Sequence, residues 1–185
     1  MKILKDIRVL DFGRYIAGPY CGALLGDLGA EVIRIERLDG SEDRFIHPLK
    51  EEGGEGAMFM QMNRNKKGMT LNPTKEGSSS IVEKLIKSAD VVIANLPPQT
   101  LKRMGIDYAT ISKYNPGIIL TTVSAFGAGG PYSERVGFDG VGQAMSGAAY
   151  LTGDETEPVK AYSPYIDYGT ASLTAMGTLA AIIER

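Results

Sequence analysis

Short apolar runs alternate with amphipathic or small-residue stretches along most of the 185-residue chain. Residues 7–12, 31–35, 91–94 and 118–124 carry apolar runs bounded by turn residues and predict strands, with 67–71 as a further candidate. A helix is expected to open at Ala17, Gly18 and Pro19. A second starts at Asn72 and Pro73 and runs to about residue 88, with Ile81, Val82, Leu85 and Ile86 on one face. Pro97 and Pro98 break the fourth strand and lead into short helices over 99–104 and 108–114. Residues 57–63 form a short apolar segment that fits either state.

Strands alternating with helices, several reading as continuous apolar runs, predict an α/β fold: a Rossmann-like open parallel sheet with helices on both faces. Residues 7–36 are the clearest unit, strand, small-residue turn, helix and strand without a gap, with Gly22, Gly26 and Gly29 allowing close packing. Ligands in such sheets sit at the carboxyl ends of strands, here around residues 13–18. The strict GxGxxG fingerprint is absent, which argues against an ordinary NAD site. Residues 39–56 read as a long charged surface loop, 126–131 as a glycine-rich loop, 139–149 as a small-residue helix and 151–164 as a turn-rich connection. The last helix, introduced by Asp167, continues to Arg185 with no cap, and the expectation is a segment of a longer protein.

Composition narrows the function. Twenty basic residues against 22 acidic ones give no global field for a nucleic acid. The single cysteine, Cys21, is expected to be a packing residue in a reducing, cytoplasmic setting, and the single histidine, His47, has no cysteine pair with which to share a metal. The start of the chain lacks a secretory signal pattern, and the uncharged run 168–183 reads as a buried helix rather than a membrane span. On position alone Asp167 is a helix N-cap, its carboxylate held ionised by unpaired backbone N–H groups and the helix dipole.

Val9-Leu10-Asp11-Phe12, Ala17-Gly18-Pro19 and the block from Leu25 to Glu36 resemble the opening of the class III CoA-transferases, a family that includes formyl-CoA transferase, carnitine CoA-transferase and alpha-methylacyl-CoA racemase. The NRNKK run at 63–67, ADVVIAN at 89–95, RMGIDY at 103–108, NPGIIL at 115–120 and Asp167 follow in the family's order. The resemblance implies that the whole chain is the N-terminal part of a CoA-binding domain, with a second domain and a return of the chain lying beyond it and an interlocked homodimer as the complete assembly. Coenzyme A is then the ligand, an acyl-CoA the donor and a carboxylic acid the acceptor; neither nucleic acid nor membrane is an expected partner. Arg37 and Arg103 with Met104 match residues at the nucleotide end, and Leu71 an apolar contact to adenine; Asn95 and Leu96 end the fourth strand where the switch-point rule puts a ligand, the family also having asparagine there, and Ala17, after the first strand, is a further candidate contact. The NRNKK run adds a local positive patch. Arg14 and Ile16 stand where some members have histidine and glutamine.

The same resemblance makes Asp167 the nucleophile, forming an aspartyl anhydride and then an aspartyl-CoA thioester. The family's oxyanion-stabilising glycine loop lies further along the chain than Arg185. Racemases carry a Gly-His-Asp sequence where this chain has Gly137-Phe138-Asp139, and phenylalanine cannot exchange a proton, so racemisation is disfavoured. Asp139 matches an acidic residue near the family's active site and reads equally as the N-cap of its own helix. The rival expectation is a catalytically silent α/β module that binds a nucleotide or CoA.

Overall fold

A computed structural model describes residues 2–49, 51, 54–154 and 156–185. Five parallel strands, β1 (Arg8–Asp11), β2 (Glu31–Glu36), β3 (Lys66–Thr70), β4 (Val91–Ala94) and β5 (Ile119–Thr122), form one sheet in the order β3-β2-β1-β4-β5. The order reverses between β1 and β4, where Leu10 pairs with Val92 on one side and Ile33 on the other. Chain direction therefore brings all five carboxyl ends to one rim and opens a crevice at that reversal.

Burial on both faces explains the unbroken apolar runs. Under one face, Leu10, Val92 and Ala94 pack with Val82 and Ile86 of α3 (Ser79–Lys87), Leu101 of α4 (Pro98–Met104) and Ile111 of α5 (Tyr108–Tyr114). Against the other, Val9, Val32, Val91 and Ile93 pack with Cys21 and Leu25 of α1 (Ala17–Asp27) and with Ala171 and Ala175 of α8 (Tyr165–Glu184). Each fully buried Val, Leu or Ile contributes about 1.5–3 kcal/mol relative to exposure. The buried Cys21 thiol is pushed up to about 12, first by burial and then by the nearby Asp11 carboxylate, so it packs rather than reacts.

Several boundaries differ from expectation. Residues 57–63 resolve to a short helix, α2 (Ala57–Met62), which buries Phe59 and Met62. The helix expected from Asn72 starts seven residues later, because the Asn72 carboxamide oxygen accepts the backbone N–H and the hydroxyl of Thr74 and turns the chain. The helix expected over 139–149 is divided into α6 (Asp139–Met145) and α7 (Ala148–Thr152) by Gly147, whose φ of 79° no helix interior accepts. Within the loop expected over 39–56 lies a 3-10 turn, Glu42–Phe45; residues 50, 52 and 53 of that loop, and 155 of the later connection, lie outside the described residues.

The last helix needs a larger correction. It begins at Tyr165, so Asp167 sits inside its first turn rather than before it. By length and composition alone it could cross a membrane. It is buried on one side only: Ala171, Ala175 and Thr178 are covered, while Leu173, Met176 and Ile183 stay exposed. Small residues on the covered side bring the helix close to α1, and the Thr178 and Thr121 hydroxyls meet at 2.8 Å to tie it to β5.

Candidate active site

Two of the cavities along the carboxyl rim of the sheet gather the expected residues. One, of about 300 Å³, holds Asp167 on one wall, with Ala17, Asn95 and Leu96 from the loops after β1 and β4 opposite and Phe138 at its edge. The other, of about 200 Å³, lies over β2 and β3 and gathers Arg37, Leu71, Arg103 and Met104. Arg14 and Leu96 line both. Eight of the nine residues singled out in the sequence therefore face one of two adjoining hollows. The ninth, Asp139, lines neither; it is buried behind Asp167.

Asp139 acts on a helix 28 residues away rather than on its own. Its Oδ1 accepts the backbone N–H of Ile166 at 2.9 Å and of Asp167 at 3.3 Å, and its Oδ2 accepts the Gln143 side-chain amide at 2.5 Å. The Gln143 carbonyl oxygen in turn accepts the Ala161 N–H at 2.8 Å, so the segment leading into α8 is pinned to α6. The first-turn donors that would have held the Asp167 carboxylate ionised are thus taken by another residue. Burial, with the Asp139 negative charge beside it, pushes the Asp167 carboxyl up to about 6. That reverses the expectation of a cap-stabilised carboxylate. It leaves a half-buried carboxyl without a cation partner among the described residues, ionised at neutral pH yet raised in basicity, as a nucleophile or base requires.

The arginine-lined slot is built from the loops after β1 to β4. Gly105, at φ 68°, ends α4 and leaves Arg103 in its last turn, facing the slot with no ion-pair partner among the described residues. Arg37 follows β2 and is half-exposed, with Glu42 at 2.9 Å and Asp39 at 3.6 Å. An incoming anion must displace those carboxylates. Glu36, one residue earlier, is buried; burial opposes its ionisation, but Arg44 and Arg34 hold its carboxyl down at about 2. Leu71 floors the slot, buried in the sheet core. The slot thus offers an apolar floor beside guanidinium groups, which can fork onto phosphate or carboxylate oxygens.

Asn95 reaches its cavity, but both its polar atoms are engaged. Its Oδ1 accepts the Arg14 N–H and its Nδ2 donates to the Arg14 carbonyl, each at 2.7 Å. The residue joins the loops after β1 and β4 across the reversal in strand order.

The NRNKK run forms no free positive patch. Arg64 and Asn65 bind Asp27, Lys67 binds Glu31, and Lys66 lies buried against Asp11 at 2.7 Å, with the Pro19 carbonyl and the Asn63 carboxamide as its other acceptors. Its role here is to anchor β3 and α1 to the base of the β1 loop. His47 is exposed in the early loop and lines neither cavity. Among the described residues no three His, Cys, Asp or Glu side chains gather to hold a metal.

Sequence reasoning missed part of the wall around Asp167: Tyr15, Val123, Ser124 and Thr170. Tyr15 adopts φ 61°, its N–H bound to the buried Asp43 carboxylate at 3.0 Å and its ring edge-on to Phe138 at 5.6 Å. The switch-point rule could have flagged the residues after β1; Thr170 follows from Asp167 by one helical turn.

An all-parallel α/β sheet with a raised carboxyl in a cavity at its switch point, and an arginine-rimmed slot beside it, defines an open α/β ligand-binding scaffold. The profile of CoA-transferase family III matches residues 4–185, and the chain belongs to that family. It is 36% identical, over 98% of its length, to the succinyl-CoA–D-citramalate CoA-transferase of Chloroflexus aurantiacus, and 36% identical over its whole length to the succinyl-CoA:glutarate CoA-transferase of Mus musculus. It covers 46% and 43% of those proteins, so it spans less than half the length of these curated relatives. Among solved structures, a CaiB/BaiF family protein from Brucella suis superposes with a TM-score of 0.92 at 35% identity, over 99% of this chain and 50% of that one.

Proposed function

We propose that the complete protein is a CoA-transferase in which Asp167 is the nucleophile. The observation that carries this is the position of Asp167: a carboxyl raised to about 6, on the wall of a mostly apolar cavity that shares Arg14 and Leu96 with the arginine-lined slot. A CoA thioester with its nucleotide in the slot has its reacting carbonyl near the Asp167 cavity.

The Asp167 carboxylate attacks the thioester carbonyl and releases CoA thiolate, leaving a mixed anhydride. The thiolate returns to the Asp167 carbonyl, forming an aspartyl-CoA thioester and expelling the donor acid as its carboxylate. The acceptor carboxylate repeats the sequence in reverse, taking the CoA and restoring Asp167. Raised basicity strengthens the attacking carboxylate, and exclusion of water protects both acyl intermediates.

Phe138 stands in the position where a racemase needs a proton-carrying histidine, and it packs on Tyr15, which favours transfer over racemisation. Since relatives named for succinyl-CoA and a dicarboxylic acid share about a third of this sequence, short dicarboxylic acids are the acceptors to test first. Arg37, Leu71, Arg103 and Met104 are assigned to the nucleotide end. Asn95, Leu96 and Ala17 line the passage to the nucleophile, and Asp139 supports it. An interlocked homodimer in the cytoplasm is part of the same proposal, supported by the exposed apolar side chains Leu173, Met176 and Ile183 on α8 and by the single buried cysteine.

Incubating the full-length protein with acyl-CoA and then hydroxylamine or borohydride is expected to modify Asp167, located by mass spectrometry of the digested protein. No adduct, or one on another residue, removes the assignment.

A further inference from the structure

Arg14 is built into the fold as a fixed cation that makes no salt bridge among the described residues. Its backbone is clamped at both polar atoms by the Asn95 carboxamide. Its Nη1 donates to three carbonyl oxygens at the ends of β1 and β2: Gly13 at 2.9 Å, Phe12 at 3.2 Å and Ile35 at 3.4 Å. The guanidinium is thereby held over the rim of the sheet, against the slot that Arg37 and Arg103 also line. Among the described residues Nε and Nη2 donate to nothing, and no carboxylate lies within ion-pair distance. Burial and the neighbouring Arg34 disfavour its charge and lower its pKa by more than the Asp43, Asp11 and Glu42 carboxylates restore it. Its two uncommitted donors are not among the buried, unpartnered atoms of the fold, so they stand open to an anion that enters the slot.

We propose that Arg14 binds the diphosphate of the CoA substrate. The inference rests on the CoA-transferase reading above and deepens it. Arg14 is shared by the two cavities, so a ligand with its nucleotide in the slot and its thioester at Asp167 must pass it. On CoA the anionic group between adenosine and the pantetheine arm is the diphosphate. Two uncommitted N–H donors from one rigid, planar group match two phosphate oxygens. A carboxylate on the acyl chain is the other source of an anionic oxygen near Asp167, and the two are separable.

The test is calorimetric titration of the full-length protein and its Arg14→Gln variant with CoA, 3′-dephospho-CoA, butyryl-CoA and succinyl-CoA. The variant is expected to bind all four about tenfold or more weakly, by the same factor, with a shallower salt dependence. Unchanged affinities overturn the proposal. So does a loss confined to succinyl-CoA, which assigns Arg14 to the acyl carboxylate, and so does a loss that vanishes with 3′-dephospho-CoA, which assigns it to the 3′-phosphate. If the unaltered protein binds none of the four, the CoA reading itself fails, a result distinct from any of these. Should Arg14→Gln not fold, Arg14→Lys carries the same comparison: it keeps the charge, loses the fork, and is expected to show a smaller but equally uniform loss.

Discussion

The Asp139 carboxylate accepts the backbone N–H of Asp167 at 3.3 Å and so occupies a donor that would otherwise stabilise the Asp167 side chain. One acid caps the helix that carries the other, and the cap's charge adds to burial in raising the second carboxyl to about 6. If ionised Asp167 is the nucleophile, kcat/KM is expected to fall below about pH 6, tenfold per unit, rather than below pH 4. Asp139→Asn keeps one acceptor oxygen for the Ile166 and Asp167 N–H groups, loses the acceptor for the Gln143 amide and removes the charge. Its acid limb is expected to move to lower pH, though not to that of a free carboxyl, because burial remains the larger cause. A limb that stays in place would show that Asp139 does not act through charge.

Stability should carry the opposite sign from an ordinary paired carboxylate. With its folded pKa raised from 3.8 to about 6, Asp167 contributes most below pH 3.8, and that contribution is lost as pH rises through 6. Asp167→Asn is therefore expected to raise Tm by a few degrees at pH 7–8, equivalent to about 1–2 kcal/mol once solvent screening of a half-buried group is allowed for, and to change it little at pH 3.5. Equal Tm values at both pH extremes would contradict the assigned shift.

What the sequence made legible follows from the range of each interaction. β1, β2 and β4 are buried on both faces, so their apolar runs announced them. β3 is disguised by Lys66 and Lys67: the first is buried by a partner 55 residues away and the second lies on the surface, so neither carries a local signal. The Asn72 turn that delays α3 resembled a helix start because Asn and Pro serve in both settings. Asp139 could be located near the site, but its target could not, since a cap across 27 and 28 residues depends on how α6 and α8 pack. For the same reason the sequence could place Asn95 at the ligand-facing end of β4 but could not show that its amide also clamps the β1 loop.

The Lys66–Asp11 pair tests whether the NRNKK run is structural. Both side chains are almost fully buried, with Lys66 at 2% and Asp11 at 0% exposure, and Asp11 also accepts the Gly13 N–H at 2.8 Å. Lys66→Met strands a carboxylate and is expected to cost about 3–5 kcal/mol in chemical denaturation. Adding Asp11→Asn should recover more than half of that. Additive losses would mean that the two residues are not a pair.

Arg103 and Arg37 should differ in weight at the slot. Arg103 has no competing carboxylate among the described residues, so Arg103→Ala is expected to weaken CoA binding by about 1–3 kcal/mol. Arg37 must first leave Asp39 and Glu42, contacts that at an exposed site are worth about 0–1 kcal/mol each. Arg37→Ala should therefore cost less than Arg103→Ala, and Glu42→Gln should tighten CoA binding slightly by releasing Arg37. A titration in which Glu42→Gln weakens binding would contradict this competition.

Gly18 offers the most specific check on the Asn95 clamp. A Cβ at Gly18 would meet Asn95 Oδ1 at 3.0 Å and the Gly13 Cα at 3.1 Å, closer than ordinary contact. The Asn95 amide is the softer neighbour, so Gly18→Ala should displace it and loosen its hold on the Arg14 backbone. The expected result is a several-fold weaker affinity for CoA, with stability reduced by about 1–3 kcal/mol. Because the alanine acts by pushing on Asn95, its effect on affinity should largely disappear in an Asn95→Ala background, where the obstructing amide is gone and Arg14 is already unclamped. The double-mutant cycle decides it: strong non-additivity is the signature of a shared mechanism, and two independent losses that simply sum would show that Gly18 and Asn95 act on the ligand by separate routes.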